Sequence, residues 1–176
     1  ICQQYGLRYF ALFGTLLGAV RDKGFIAWDD DLDIGMTRND LTKFERIAAD
    51  VLPEGLHFVS YQTLEGYDST IRRVTNGINL HSPQESLEQR MKDYYGCPYV
   101  VGIDLYPVDY MPTGEDRDMQ QQMLSILETC RQMWMNENVS IADRRYVTLQ
   151  VENMFKTTID ERKSLGQISS QITKLQ

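Results

Sequence analysis

The fold is decided by residues 9–36, which read YFALFGTLLGAVRDKGFIAWDDDLDIGM. The apolar run at 9–13 predicts a short buried strand, and residues 16–21 have the composition of one or two helical turns. The pair Gly14-Thr15 separates the two and predicts a turn between them. A strand, a turn and a short helix are therefore expected to precede the acidic segment that follows.

The acidic segment brings four carboxylates together, at Asp29, Asp30, Asp31 and Asp33. Successive side chains of a strand point to opposite faces, so Asp31 and Asp33 share one face and the apolar residues beside them share the other. Two like charges at that spacing raise each other's pKa unless a cation lies between them. The pattern predicts a site for Mg²⁺ or Mn²⁺, which proteins usually hold with one or two carboxylates and substrate phosphates.

Two other interpretations of the acidic segment fit its residues less well. Asp clusters are often solvated turns, but this cluster lies within apolar sequence, which argues against a loop tip. Its spacing also resembles the beginning of an EF-hand calcium loop, which needs Gly at its sixth position and Glu at its twelfth. Counted from Asp29, those positions hold Ile34 and Asp40, so the EF-hand interpretation fails.

Two blocks of the sequence resemble the LicD family of phosphocholine transferases, which is related to the fukutin-type ribitol-phosphate transferases. The first block comprises residues 14–21, 24–26 and 28–35, and the second is GIDLYPVD at 102–109. Ala27 stands where the family usually has Pro. The resemblance implies a nucleotidyltransferase fold, in which a Gly-Ser or Gly-Thr turn precedes an Asp-x-Asp strand and a third Asp comes from a later strand.

We therefore predict an α+β fold with a nucleotidyltransferase-like mixed β-sheet flanked by helices. Apolar periodicity predicts further strands at residues 56–61, 71–74, 78–81 and 99–106. Helical spacing of apolar residues predicts helices at 37–51, 87–91, 115–134 and 146–155.

Four local signals refine these elements. Thr37 is predicted to cap the helix that follows it. Asn76-Gly77 is the strongest hairpin signal in the chain. Pro107 is expected to end the strand before it. Residues 164–176 carry few apolar side chains, so we expect them to pack weakly.

The length and composition predict one domain. A chain of 176 residues with 42% hydrophobic residues can bury a sizeable core. We predict a single domain over residues 1–176, with a catalytic core at 1–112 and a helical segment at 113–176. Because the sequence opens at Ile1 without Met and family members extend further at both ends, we expect a fragment that lacks N- and C-terminal flanks.

Charge and cysteine content limit the partners and the compartment. The net charge of -7 argues against nucleic acid, which a basic surface would bind. Three widely spaced cysteines indicate neither a zinc site nor a disulfide framework, so we expect a cytoplasmic protein. No apolar run approaches the roughly 20 residues of a membrane helix, and no signal peptide is visible.

A third carboxylate joins the predicted metal site from the second block. Asp104 lies in an apolar strand, where a charged group must be paired or bound to metal. We predict that Asp31, Asp33 and Asp104 are the metal ligands and catalytic residues, with Asp29 and Asp109 supporting them. Either Asp104 or Asp29 is the candidate base for the acceptor hydroxyl, and the sequence leaves this choice open.

Several residues are predicted to bind the phosphates of a substrate. Gly14 allows close approach of the backbone, and Thr15 offers a hydroxyl at a helix start, where N–H groups favour anions. Arg21 is predicted either to reach a phosphate or to pair with one of the Asp residues. Arg72 and Arg73 are adjacent in a predicted strand, so one of them faces the site, and we assign Arg72 to substrate binding.

The resemblance implies a specific reaction. The donor would be a CDP-activated alcohol such as CDP-choline, the acceptor a sugar hydroxyl of a cell-surface glycan such as lipopolysaccharide or teichoic acid, and the by-product CMP. Two alternatives stay open: transfer of a whole nucleotide to a protein or small molecule, and a non-catalytic nucleotide-binding module. The presence of all three Asp residues argues against the second alternative.

Overall fold

The computed structural model describes residues 1–29, 31–64, 67, 69–77, 87–93 and 101–175. They form two compact units, one from Ile1–Val59 with Ile71–Asp109 and the other from Ser60–Thr70 with Tyr110–Gln176. The single domain, its core at 1–112 and its helical segment at 113–176 stay predictions.

The first unit is built on a mixed β-sheet. Its strands are β1 Phe10–Ala11, β2 Leu32–Thr37, β3 His57–Val59, β4 Arg72–Thr75 and β5 Gly102–Val108. The sheet order is β1-β2-β5-β4-β3, in which β2 and β5 are parallel and the other three pairs are antiparallel. The helices of this unit are α1 Phe13–Arg21, α2 Arg38–Val51 and α3 Leu87–Asp93. This arrangement confirms the predicted α+β fold with a mixed sheet.

One face of the sheet packs against α2. The core residues include Met36, Val74 and Leu105 from the sheet and Leu41, Phe44 and Ala48 from α2. The α2 residues recur every three or four positions, which places them on one face of the helix. Thr37 caps α2 as predicted, because its side chain accepts a hydrogen bond from the Asp40 N–H. The opposite face of the sheet carries polar residues at its centre.

The path of β5 differs from the prediction at Pro107. The strand does not end there, because β2 pairs with it as far as Thr37 opposite Val108. The pairing between β4 and β5 covers only Gly102 to Leu105. On the β4 side, Pro107 therefore lies beyond the paired residues of the described chain, where a missing N–H is tolerated. The predicted strand at 78–81 lies outside the described residues.

The second unit is helical. It contains α4 Glu115–Met135, α5 Ile141–Phe155 and α6 Leu165–Thr173. The expectation of weak packing at the C-terminal end is wrong, because Ile168 and Ile172 on α6 are completely buried in the core of this unit. A capping box between Ser164 and Gln167 begins α6. The two isoleucines are four residues apart and therefore share one face of a short helix.

Candidate functional site

The centre of the polar face is a row of three charged residues on adjacent strands. Asp33 on β2 is paired with Asp104 on β5, which in turn is paired with Arg73 on β4. Residues in register on neighbouring strands point to the same face. Side chains alternate along each strand, so this face is opposite the one that packs against α2.

The three predicted metal ligands lie together. One carboxylate oxygen each from Asp31, Asp33 and Asp104 lies within 4.8 Å of the others. Asp33 and Asp104 are 7% and 5% exposed, whereas Asp31 is open to solvent. Three oxygen donors of this kind fit a hard divalent cation such as Mg²⁺ or Mn²⁺.

The surroundings of Asp33 disfavour its negative charge. Burial is the largest cause of its raised pKa, and the charges of Asp104 and Asp29 raise it further. A hydrogen bond from the Tyr106 hydroxyl and the charge of Arg73 act in the opposite direction. A carboxylate whose pKa is raised by burial and by like charges is stabilised by a cation beside it.

Tyr106 is a residue of this cluster that sequence reasoning missed. Its hydroxyl hydrogen-bonds to Asp33, and its ring makes an edge contact with Phe13 at a centroid distance of 5.0 Å. Burial, together with the charges of Asp33, Asp104 and Asp31, raises the pKa of Tyr106 to about 12. The signal that could have found it is its position two residues after Asp104 in a strand, which gives both side chains the same face.

Gly14 and Thr15 lie in the first turn of α1 rather than in a separate turn before it, and this first turn holds the backbone of Asp33. Thr15 Oγ1 accepts a hydrogen bond from the Asp33 N–H at 2.8 Å, and the Leu12 N–H donates to the Asp33 carbonyl at 3.0 Å. These two contacts extend the interaction with β2 beyond Ala11, the last paired residue of β1, into the beginning of α1. Thr15 therefore positions a predicted metal ligand, and its contact with phosphate stays a prediction.

Gly14 lies against the carboxylate of Asp29. A Cβ at Gly14 would overlap Asp29 Oδ2 and lie 3.2 Å from Asp29 Cγ. The missing side chain therefore lets Asp29 approach the start of α1. The approach of phosphate to Gly14 stays a prediction.

Arg73 is held across the sheet by a bidentate ion pair. Its Nη2 donates to Asp104 Oδ2 at 2.8 Å, and its Nε donates to Asp104 Oδ1. A Cβ at Gly102 would lie 2.9 Å from both Cγ and Cδ of Arg73. The absence of a side chain at position 102 therefore lets the aliphatic part of Arg73 lie directly on β5.

Arg72 points to the other face of the sheet. It is 5% exposed, and its Nε donates to Glu45 Oε1 of α2 at 2.8 Å. The structure therefore brings Arg73, rather than Arg72, to the carboxylates. The geometry favours Arg73 for contact with a substrate, although a substrate-binding role for either arginine stays a prediction.

Two other predicted residues pair outside the cluster. Arg21 donates to both carboxylate oxygens of its neighbour Asp22, at 2.7 Å each. Asp109 follows β5 and accepts two hydrogen bonds from Arg38, the first residue of α2, which lowers the pKa of Asp109. Among the described residues, Asp109 therefore links β5 to α2, and Arg21 does not pair with the three clustered carboxylates.

A groove of about 380 Å³ lies on the other side of β2. Its lining includes Leu32 and Ile34 of β2 together with Tyr9, Ala11 and Phe25. Since Leu32 and Ile34 alternate with Asp33, they face away from the carboxylates. The groove therefore opens on the face of β2 away from the carboxylates, although Thr15, which contacts the Asp33 backbone, also lines it.

Comparison with known families supports an assignment for the first part of the chain. Residues 6–86 match the family described as LicD/FKTN/FKRP, nucleotidyltransferase domain. A LicD-family domain is therefore detected within residues 6–86, which make up less than half of the chain. The matched residues of the LicD domain include Asp31, Asp33 and Arg73, whereas Asp104 lies beyond them.

Three curated proteins are similar to parts of the chain. The lipopolysaccharide cholinephosphotransferase LicD of Haemophilus influenzae is 48% identical over 44 residues, which cover 25% of this chain and 17% of that protein. An uncharacterised protein of Rickettsia typhi is 51% identical over 102 residues, covering 58% of this chain and 32% of its own length. One from Rickettsia prowazekii is 43% identical over 105 residues, covering 58% and 38%. The aligned regions thus span between 17% and 38% of these relatives.

No solved structure matches the chain significantly. Across the described residues, no helix is both long enough and apolar enough to cross a membrane. The cytoplasmic location stays a prediction.

Proposed function

We propose that this LicD domain is the catalytic part of a metal-dependent transferase. It would move a phospho-alcohol group, such as phosphocholine, from a CDP-activated donor to a sugar hydroxyl of a cell-surface glycan. The observation that carries the proposal is the cluster of Asp31, Asp33 and Asp104 oxygens within 4.8 Å of one another. The choice of donor follows from the family match and from the name of the similar cholinephosphotransferase.

The donor set fits Mg²⁺ or Mn²⁺, which Asp31, Asp33 and Asp104 would hold. Asp104 already accepts hydrogen bonds from Arg73 at both oxygens, but each carboxylate oxygen has a further lone pair to offer. When bound there, the ion would supply positive charge that stabilises the negative charge developing during transfer of the phosphoryl group. Arg73 adds a guanidinium whose fork matches phosphate oxygens.

The chain's own residues would then position the reacting groups. Thr15 fixes the backbone of Asp33 through the 2.8 Å hydrogen bond from its N–H. Asp104 would be occupied as a ligand of the ion, which leaves Asp29 as the better candidate to accept the proton of the acceptor hydroxyl. The hydroxyl oxygen bonds to the phosphorus that carries the alcohol, the bond from that phosphorus to the bridging oxygen breaks, and CMP leaves.

Binding is tested by titration calorimetry of CDP-choline with and without Mn²⁺. We expect binding that requires the ion and is lost in Asp33→Asn, which removes a ligand charge at nearly constant volume. Asp50→Asn is the matched control, because Asp50 is exposed on α2, the helix that covers the other face of the sheet. Binding that is independent of Mn²⁺, or equal in wild type and Asp33→Asn, would overturn the proposal.

The phosphorus that is attacked is tested by slow hydrolysis of CDP-choline in ¹⁸O-labelled water. Attack at the phosphorus that carries choline places the label in phosphocholine, which is the expected result. Label in CMP would instead support transfer of the whole nucleotide. Asp33→Asn should abolish the incorporation of label in either case.

A further inference from the structure

The pairing of Arg73 with Asp104 places a cation on a carboxylate of the proposed ion site. The guanidinium donates to both Asp104 oxygens, one of them at 2.8 Å. The Asp104 side chain is 7% exposed and shares its sheet face with Asp33. A divalent ion bound there would therefore meet a positive charge already in place.

We infer that Arg73 competes with the divalent ion for Asp104 and releases this carboxylate when donor phosphates bind. This inference rests on the proposed function and adds to it that the ion and the donor bind cooperatively. Without a nucleotide, the ion binds weakly because Arg73 occupies Asp104. With a nucleotide, the guanidinium moves to the phosphates, and the ion and the donor bind cooperatively.

The two arginines of β4 differ in their freedom to move. Arg72 and Glu45 form a largely buried ion pair, in which the two side chains are 6% and 14% exposed. The side chain of Arg73 is 30% exposed, so its guanidinium has access to solvent. Its stem is confined against Gly102, which limits the movement to the end of the side chain. Arg73 is thus built to exchange one anionic partner for another near the same place.

The electrostatics favour competition over simple neutralisation. Arg73 lies 2.8 Å from the Asp104 carboxylate. An ion on the same carboxylate would therefore be well within the roughly 8 Å over which physiological salt screens charges. Repulsion between the guanidinium and a divalent ion on one carboxylate is therefore strong. Phosphate oxygens remove this repulsion because they bind the guanidinium as a bidentate acceptor.

The test measures Mn²⁺ affinity by calorimetry in the absence and presence of CDP-choline. Arg73→Met removes the charge and keeps most of the volume, and we expect Mn²⁺ alone to bind about tenfold more tightly to it. CDP-choline should bind this variant more weakly. The factor by which CDP-choline strengthens Mn²⁺ binding should be smaller in this variant than in wild type. By linkage, the factor by which Mn²⁺ strengthens CDP-choline binding should fall equally.

Two variants separate charge from other effects. Arg46→Met is the matched control, because Arg46 is exposed on α2 and the same change should leave Mn²⁺ affinity unaltered. Arg73→Lys keeps the charge but loses the fork, so its Mn²⁺ affinity should stay near wild type while its donor binding weakens.

The outcomes distinguish the two proposals. Wild-type binding of Mn²⁺ that depends on Asp33 but is equal or weaker in Arg73→Met would overturn the Arg73 inference and leave the proposed function standing. No Mn²⁺ binding in either protein would overturn both. A tightening in Arg46→Met as large as in Arg73→Met would also overturn the inference, since it would reflect net charge alone.

Discussion

Replacement of Arg72 by Met should destabilise the protein without involving the proposed ion site. Arg72 contacts Glu45 at 2.8 Å, and the two side chains are 6% and 14% exposed. Removing one partner of a buried ion pair typically costs about 3–5 kcal/mol, because the other charge stays in a poorly solvated place. The partial exposure of Glu45 places the expected loss at the lower end, about 3 kcal/mol.

Urea denaturation followed by circular dichroism measures this loss. With a slope of roughly 2 kcal/mol per molar, the midpoint should fall by about 1.5 M. Combining Glu45→Met with Arg72→Met should recover part of the lost free energy of unfolding, since an apolar pair can replace a buried ion pair. Saturating Mn²⁺ should leave the deficit relative to wild type unchanged, because Arg72 faces α2.

Arg73→Met is the matched comparison on the same strand. Its tighter ion binding should add about 1.4 kcal/mol more stabilisation by saturating Mn²⁺ than wild type receives, which is the value of a tenfold change in affinity. The reasoning about Arg72 would be refuted by an unchanged urea midpoint in Arg72→Met. It would also be refuted if Mn²⁺ relieved the Arg72→Met deficit.

Three further changes test separate parts of the structure. Thr15→Val leaves the Asp33 N–H without its acceptor, which should cost about 1–3 kcal/mol in urea denaturation and weaken donor binding, and Thr15→Ser should restore both. Tyr106→Phe removes a hydrogen bond that lowers the pKa of Asp33 against the raising effect of burial, so this pKa should rise further. Between the ordinary pKa of an Asp carboxyl and the raised pKa of Asp33, the folded protein keeps a proton that the unfolded chain has lost, so the free energy of unfolding falls as pH rises through this interval. Mn²⁺ binding, measured by calorimetry, should shift to higher pH. Ile168→Ala should cost about 3 kcal/mol in thermal unfolding, whereas Ile141→Ala, at a site 69% exposed, should cost little.

Each of these predictions has a contrary result. Wild-type stability of Thr15→Val would mean that the Thr15 hydroxyl does not support the Asp33 backbone. An unchanged pH dependence of Mn²⁺ binding in Tyr106→Phe would mean that its hydroxyl does not act on Asp33. Equal unfolding temperatures for wild type and Ile168→Ala would restore the expectation of a weakly packed C-terminal end.

Local patterns were sufficient for β2, for α2 and for the carboxylates. Alternation around Leu32 and Asp33 predicted which side chains share a face, because that periodicity is a property of the strand itself. Thr37 and the spacing of apolar residues after it predicted α2 for the same reason. The isolated charge of Asp104 in an apolar strand indicated a buried partner.

Contacts between distant residues were beyond the reach of such patterns. Arg72 and Arg73 are identical residues side by side, so only the pairing with β5 and the position of Glu45 on α2 decide which faces the carboxylates. The contact of Asp29 with Gly14 likewise depends on how the chain returns to the start of α1. At α6, low apolar content over the whole segment concealed two isoleucines at a spacing that a single helix face can bury.

The parallel register of β2 and β5 makes the carboxylate cluster dependent on completed synthesis of the sheet. Asp33 meets Asp104 only when Leu32 lies opposite Ile103, and a shift by one residue would turn Asp104 toward α2. A nascent chain on the ribosome whose residues 102–108 are still in the exit tunnel holds two of the three carboxylates. Capacity to bind the ion would then arise only after β5, the central strand of the sheet, has left the exit tunnel.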